Sequence, residues 1–285
     1  MYIDPSLFKF FSGEYFEQLV MEVYWYMGYN VKKTITIGDQ GVDLILTNEQ
    51  EKIAVQCKRY KKKVNNRAIQ EVFAGMHFYN CDKSIVVTSS EFTRGAIELA
   101  KSLNVSLVDC KALGDLLNSN NNYIGNNFYK NSHLTGILIN AGYDLLENSR
   151  YPECIELLTK ILDKERLFAE ENITDKINAY NYLGLCYKRS NQLQKAVNIF
   201  KQGLEIGEYT VLLNNLAVSY RDEGDYIGAK QLLDRIKPDE EEFEFIEKHK
   251  KDLEKLIKLK SKKENKLISE DEYLCQENLI MSNYR

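Results

Sequence analysis

Gly38-Asp-Gln-Gly-Val-Asp-Leu-Ile-Leu-Thr47 and, after the link Asn48-Glu-Gln-Glu51, Lys52-Ile-Ala-Val-Gln-Cys-Lys-Arg-Tyr-Lys-Lys-Lys63 make up the stretch that decides the fold. Val42, Leu44 and Leu46 alternate with Asp43, Ile45 and Thr47. Ile53, Val55 and Cys57 alternate with Ala54, Gln56 and Lys58. A period of two predicts two β-strands, and the link is short enough for a hairpin. With Glu49 and Gln50 as the turn, Asp43 falls opposite Gln56 on one face, and Lys58 lies two residues further along it. Polar residues thus sit where a fold normally places apolar ones.

A carboxylate, a carboxamide oxygen and an ammonium brought together suit phosphodiester hydrolysis. Asp43 and the Gln56 oxygen are hard ligands for Mg²⁺ (or Mn²⁺), and a carbonyl near Cys57 adds another. Such a metal holds a phosphate oxygen and acidifies water. Lys58 orients or deprotonates that water, or stabilises transition-state charge. Spacing alone is equally met by a hairpin with one wet face, where Asp43 and Lys58 are merely solvated.

The stretch Gly13–Leu117 resembles the catalytic domain of the Mrr-like (type IV) restriction endonucleases, a branch of the PD-(D/E)XK nucleases. The match is carried by Gly13-Glu-Tyr-Phe-Glu17 before a helix, Gly28-Tyr29 at its end, Gly38-to-Asp43 and Val55-Gln-Cys-Lys-Arg-Tyr60. Val86-Val-Thr-Ser-Ser-Glu-Phe-Thr93 and the helix Ala96–Leu103 continue it. The resemblance implies catalytic roles for Asp43, Gln56 and Lys58, and places a glutamate, Glu17, near the metal. Glu14 is the weaker choice there. Gln56 stands where the superfamily usually has an acidic residue, which removes one negative charge from the site.

The chain has 285 residues, enough for two domains. The net charge is −4, yet the first 120 residues carry equal numbers of acidic and basic side chains, and five of the six residues Lys58–Lys63 are basic. A local patch of that density binds phosphates even on an acidic chain. Arg59, Lys61, Lys62, Lys63, Arg67, Gln70, Thr93 and Arg94 are therefore candidate nucleic-acid contacts, the last two at a helix start flanked by hydroxyls. Asp39 reads as a turn residue. The six cysteines form no Cys-x-x-Cys pair and read as reduced thiols in a cytoplasmic protein. Cys57, Cys110 and Cys186 lie in apolar patterns and read as core. The three histidines are far apart, which argues against a serine-protease triad or a His-rich zinc site. No apolar stretch predicts a membrane span.

Periodicity predicts a helix from Ser12 to Met27, with Phe16, Leu19, Val20, Val23 and Met27 as its buried stripe. A strand over Tyr29–Ile37, the hairpin, a helix over 67–79, a strand over 84–88, a helix, a strand over 105–109 and a helix to Leu117 follow. That order describes an α/β restriction-endonuclease-like sandwich with a mixed sheet. The asparagine-rich segment 118–133 marks a linker between domain 1–117 and an all-α region. From 134 to 238, Leu183-Gly184-x-x-Tyr187 with Ala196-x-x-x-Phe200 recurs as Leu216-Ala217-x-x-Tyr220 with Ala229-x-x-x-Leu233. Ala141-Gly142, Leu145, Cys154 and Leu158 form an earlier copy. Small residues facing large ones at fixed spacing describe stacked helical hairpins, similar to tetratricopeptide repeats. Residues 239–285 read as a capping helix over 240–259, a basic solvated link 258–266, and a last helix within 267–284.

The leading reading is a metal-dependent DNA endonuclease, acting in defence against foreign or modified DNA, with repeats that bind a protein, regulate, or drive self-association into a homo-oligomer. One active site cuts one strand, so double-strand cleavage needs two protomers or two events. The runner-up is a non-catalytic adaptor that binds nucleic acid and recruits a partner through the repeats. A nuclease acting on RNA is a third reading, since the chemistry works on either backbone.

Overall fold

The chain is described by a computed structural model over residues 4–34, 40–118, 132–163, 173–237 and 240–282. It divides into two compact units, Met1–Asp175 and Lys176–Arg285.

In the first unit a short 3-10 helix (Pro5–Phe10) precedes α1 (Gly13–Tyr26). The Ser12 hydroxyl accepts from the Tyr15 N–H at 3.2 Å and so starts α1. Phe16, Leu19, Val20 and Val23 are fully buried, as their helical spacing demands. Met27 departs from expectation: it is the C-cap, beyond the last regular turn, and is 40% exposed. Gly28 follows at φ +92° and lets the chain turn into the sheet.

The strands β1 (Asn30–Lys33), β2 (Leu44–Thr47) and β3 (Lys52–Lys58) pair antiparallel. Then come α2 (Asn66–Phe78), β4 (Lys83–Thr88), α3 (Arg94–Leu103), β5 (Ser106–Val108) and α4 (Cys110–Asn118). The spatial order is β1-β2-β3-β4-β5, with β3, β4 and β5 parallel. The helical crossovers α2 and α3 impose this parallel half, and the four-residue link between β2 and β3 imposes the antiparallel half. This is the mixed-sheet α/β sandwich expected from the sequence. Ala54 and Val86 face Ala68, Ile69 and Val72 of α2 on one side of the sheet, while α1 packs on β1 and β3. The strand ends at Lys33, short of the expected Ile37, with Thr34 irregular; residues 35–37 and Asp39 lie outside the described residues.

The helices α5 (Ser132–Glu147) and α6 (Tyr151–Leu162) form a hairpin inside the first unit. The hairpin packs on α1 and the 3-10 helix, with ion pairs Lys9–Glu156 at 3.2 Å and Lys160–Asp4 at 3.6 Å. The compact-unit boundary thus falls after this hairpin, later in the chain than the asparagine-rich segment. The expected boundary segment itself lies almost wholly outside the described residues.

The boundary falls in the first turn of α7 (Ile173–Arg189), and the second unit takes up the rest of α7 with α8 (Leu193–Leu204), α9 (Thr210–Asp222), α10 (Tyr226–Asp234), α11 (Glu240–Glu264) and α12 (Glu270–Met281). The small-over-large repeat has a direct packing cause. A Cβ on Gly184 would stand 2.3 Å from the Phe200 ring, and in the earlier hairpin a Cβ on Gly142 would stand 2.7 Å from Leu158. Ala217 and Leu233, the corresponding pair, are both fully buried. The expected basic link from Lys258 is instead helical as far as Glu264. Leu256 and Leu259 are buried on its inner side, and Lys260 reaches the Gly224 carbonyl at 2.9 Å. Lysine side chains keep their ammonium groups in water while the helix buries its other face. Ser269 caps α12 by accepting from the Glu272 N–H, and the hydroxyls of Tyr226 and Tyr273 both donate to Glu277. Of the three cysteines read as core, Cys186 is buried, with Cys154 beside the Gly142 carbonyl, whereas Cys57 and Cys110 are partly exposed. Among the described residues no helix is long and apolar enough to cross a membrane.

One buried polar cluster in this unit makes its stability depend on pH. His249 of α11 is 1% exposed and lies 3.3 Å from the Arg221 guanidinium, with Asp222, Asp252 and Lys188 around it. Desolvation and then Arg221 push its pKa down to about 4, against the pull of the two aspartates. Between that value and the ordinary histidine range the unfolded chain binds the extra proton and the folded chain does not. Stability is therefore complete above about pH 6.5 and falls as pH drops towards 4. Urea titrations of the full chain at pH 7 and pH 5 should show this loss, and His249→Asn should flatten the slope over that interval.

Candidate active site

The antiparallel register pairs Leu44 with Val55 and Thr47 with Lys52. Asp43, expected opposite Gln56, lies just beyond this ladder, and its backbone departs from the register by one residue. The Asp43 N–H donates to the Val55 carbonyl at 2.8 Å, and the Asp43 Oδ2 accepts from the Cys57 N–H at 2.6 Å. A backbone donor thus fixes this carboxylate at the carboxyl end of β3. The Lys58 carbonyl accepts from the Thr88 hydroxyl at 2.7 Å and from the Ser89 N–H at 3.2 Å, which ties that end of β3 to β4.

Glu71 of α2 joins this set, and the sequence reading did not single it out. Its Oε2 accepts from Gln56 Nε2 at 3.0 Å and from Lys58 Nζ at 3.2 Å, and its Oε1 pairs with Arg67 Nε at 2.7 Å. Partial burial works against the charge of Glu71. The hydrogen bonds from Arg67, Gln56 and Lys58 outweigh it and hold the carboxyl below its ordinary range. Gln56 is 1% exposed, and its Oε1 is buried without a hydrogen-bond partner. An amide oxygen left so costs about 1–3 kcal/mol, unless a cation or water takes it up.

The other candidates separate into groups. Glu17 of α1 is paired with Lys33 at 2.8 Å. Lys33 stands opposite Leu44 on the sheet face away from Gln56, and the Glu17 carboxylate, with Glu14 and Asp43, raises its pKa. Cys57 lies between the two sets: its thiol is pushed well up by desolvation, then by Asp43 and Glu17, with Lys58 and Lys33 acting the other way. Glu14 borders a cleft of about 620 Å³ with Lys33 and Asn140. Arg59 points elsewhere, donating to the Lys9 carbonyl at 2.8 Å. Lys61, Lys62, Arg67, Gln70 and Arg94 are exposed, and Lys63 pairs with Glu91 at 2.6 Å. A bridge between Val64 and Phe92 sets the starts of α2 and α3 side by side. Asn65 caps α2, and the Thr93 hydroxyl accepts from the Ala96 N–H to cap α3.

Among the described residues no cluster of three His, Cys, Asp or Glu side chains is arranged for a metal. The donors that fit one are Asp43 and the buried Gln56 Oε1. Both are hard oxygens, suited to a cation that keeps several waters.

Three comparisons bear on this arrangement. Residues 8–117 match the Mrr catalytic family, described as "Restriction endonuclease". The chain is 27% identical over 118 residues to the type IV methyl-directed restriction enzyme EcoKMrr of Escherichia coli K12, covering 38% of this chain and 39% of that protein. It is also 35% identical over 78 residues to the uncharacterized protein ycf37 of Porphyra purpurea, covering 27% of this chain and 45% of that protein. The chain therefore spans less than half the length of these relatives. No solved structure matches it. Residues 8–117 constitute an Mrr-like restriction endonuclease domain.

Gly41 tests how closely α2 must approach the hairpin. It has φ +75°, and an added Cβ would stand 2.7 Å from the Glu71 Cβ and 3.2 Å from Gln56 Nε2. Gly41→Ala should cost about 1–3 kcal/mol of stability, seen as a lower thermal midpoint.

Proposed function

We propose that the chain is a divalent-metal-dependent DNA endonuclease. The observation that carries this reading is the buried, unpartnered Gln56 Oε1, one residue along β3 from the Cys57 N–H that holds the Asp43 carboxylate, in a domain whose family is nucleolytic. Asp43 and Gln56 would hold Mg²⁺ or Mn²⁺, with Glu17 completing the site if it leaves Lys33. When bound, such a metal supplies Lewis-acid charge and a water activated near neutral pH. Hydrolysis adds the oxygen of water to phosphorus and breaks one phosphodiester P–O bond. Lys58, fixed by Glu71, donates to the attacking water or to a phosphate oxygen and offsets the charge that develops there.

Lys61, Lys62, Arg67 and Arg94 flank this centre beside two helix N-termini, a surface that suits the DNA backbone and carries no base information. Lys63, Gln70 and Thr93 border the same surface. The Arg59 contact with Lys9 argues for a structural role there instead. The helical hairpins of the second unit would bind a protein partner or a second copy, and the setting would be cytoplasmic defence against foreign or modified DNA.

Plasmid cleavage in Mg²⁺ or Mn²⁺ tests the assignment. Asp43→Ala and Lys58→Ala should each lower the rate about 10²-fold or more while staying folded. Cleavage that survives both would place the chemistry elsewhere. A wild type that binds DNA and cuts neither DNA nor RNA would favour the adaptor.

A further inference from the structure

We infer that Glu71 is a positioning residue of the metal site: it fixes which atom of the Gln56 amide faces the cation. The inference rests on the reading of Asp43 and Gln56 as metal donors and adds a residue to it.

Glutamine can present either its oxygen or its NH₂ in nearly the same space, and only the oxygen ligates a hard cation. A carboxylate can only accept hydrogen bonds. The group that faces Glu71 Oε2 at 3.0 Å must therefore be the Gln56 NH₂. That choice turns Oε1 the other way, and it is this oxygen that lies buried without a partner. Glu71 is held in turn by Arg67 at 2.7 Å and by Lys58 at 3.2 Å. The backbone supports the geometry. Gly41 lies where any Cβ would meet Glu71, and Gly75, one turn along α2, would place a Cβ 2.4 Å from Val42 and 2.6 Å from the Gln40 carbonyl. Two glycines thus let α2 close on the hairpin. An acidic residue at position 56 would need no such partner, because both its oxygens are ligands. The single carboxylate of Glu71 serves instead to orient a neutral ligand.

A double-mutant cycle on the full chain tests this, read by Mn²⁺ binding in calorimetry or electron paramagnetic resonance, with no cleavage assay required. Glu71→Ala should weaken Mn²⁺ binding about tenfold or more, the usual size of a lost ligand-orienting partner. In the Gln56→Glu background Glu71→Ala should cost nothing, since a carboxylate has no wrong orientation. Glu71→Gln, which keeps the shape and an acceptor for the Gln56 NH₂, should bind nearly as well as wild type. Should Glu71→Ala not fold, Glu71→Lys replaces it: an ammonium only donates, turns the Gln56 oxygen away, and should weaken binding as much. An equal loss in the wild-type and Gln56→Glu backgrounds, or no loss in either, overturns the inference and leaves the metal site standing. A folded wild type that binds no Mn²⁺ overturns the metal site itself, and the inference with it.

Discussion

The antiparallel register between β2 and β3 is the constraint on which the rest depends. Because side chains alternate, a slip of one residue in β3 would send Gln56 and Lys58 to the opposite face of the sheet. The register is held from both ends. At the turn the Asn48 side chain accepts from the N–H groups of Gln50 and Glu51. At the open end the Asp43 backbone bonds to Val55 and its carboxylate to the Cys57 N–H. Leu44, Leu46, Val55 and Ile53 are buried between these ends, and their burial would be lost by the same slip. The polar face is thus a by-product of an apolar one that the core requires.

On that face the helix α2 completes what the strands begin. It could not approach without Gly41 and Gly75, and once there it delivers Glu71 to Gln56 and Lys58. On the proposed reading, one carboxylate, Glu71, orients the amide, and another, Asp43, would ligate the metal. This division is a physical answer to the neutral residue at position 56. An amide contributes less charge than a carboxylate, so its value as a ligand depends on which way it points.

Much of this was legible in the sequence because it was local. The period of two, the short link and the cap at Ser12 are all set within a few residues, and the strands and helices of the sheet domain follow in the expected order. The order of strands and helices then left few topologies open. Glu71 was not legible. On a helix it reads as a surface glutamate four residues after Arg67, and its other partners are 13 and 15 positions away in the chain. Gln70, one residue earlier, is exposed, and it is Glu71 that meets Gln56 and Lys58. Met27 was misplaced because the last turn of a helix no longer keeps its stripe against the core. The helix through Lys258–Glu264 was missed because composition reports solvation and says little about backbone shape when lysine is itself a good helix former. The sequence repeat showed the hairpins, but it could not show that the first of them packs on α1 and the 3-10 helix, since Lys9–Glu156 and Lys160–Asp4 link residues about 150 apart.

The central claim is that the hairpin presents Asp43 and the Gln56 oxygen to a divalent cation. The most direct measurement is anomalous diffraction from crystals of the full chain soaked in Mn²⁺. The account predicts a metal peak at about 2.0–2.4 Å from both Gln56 Oε1 and the Asp43 carboxylate, with the Gln56 NH₂ still donating to Glu71. A well-ordered site without a peak, or a peak bound elsewhere with the Gln56 NH₂ turned towards Asp43, would contradict it.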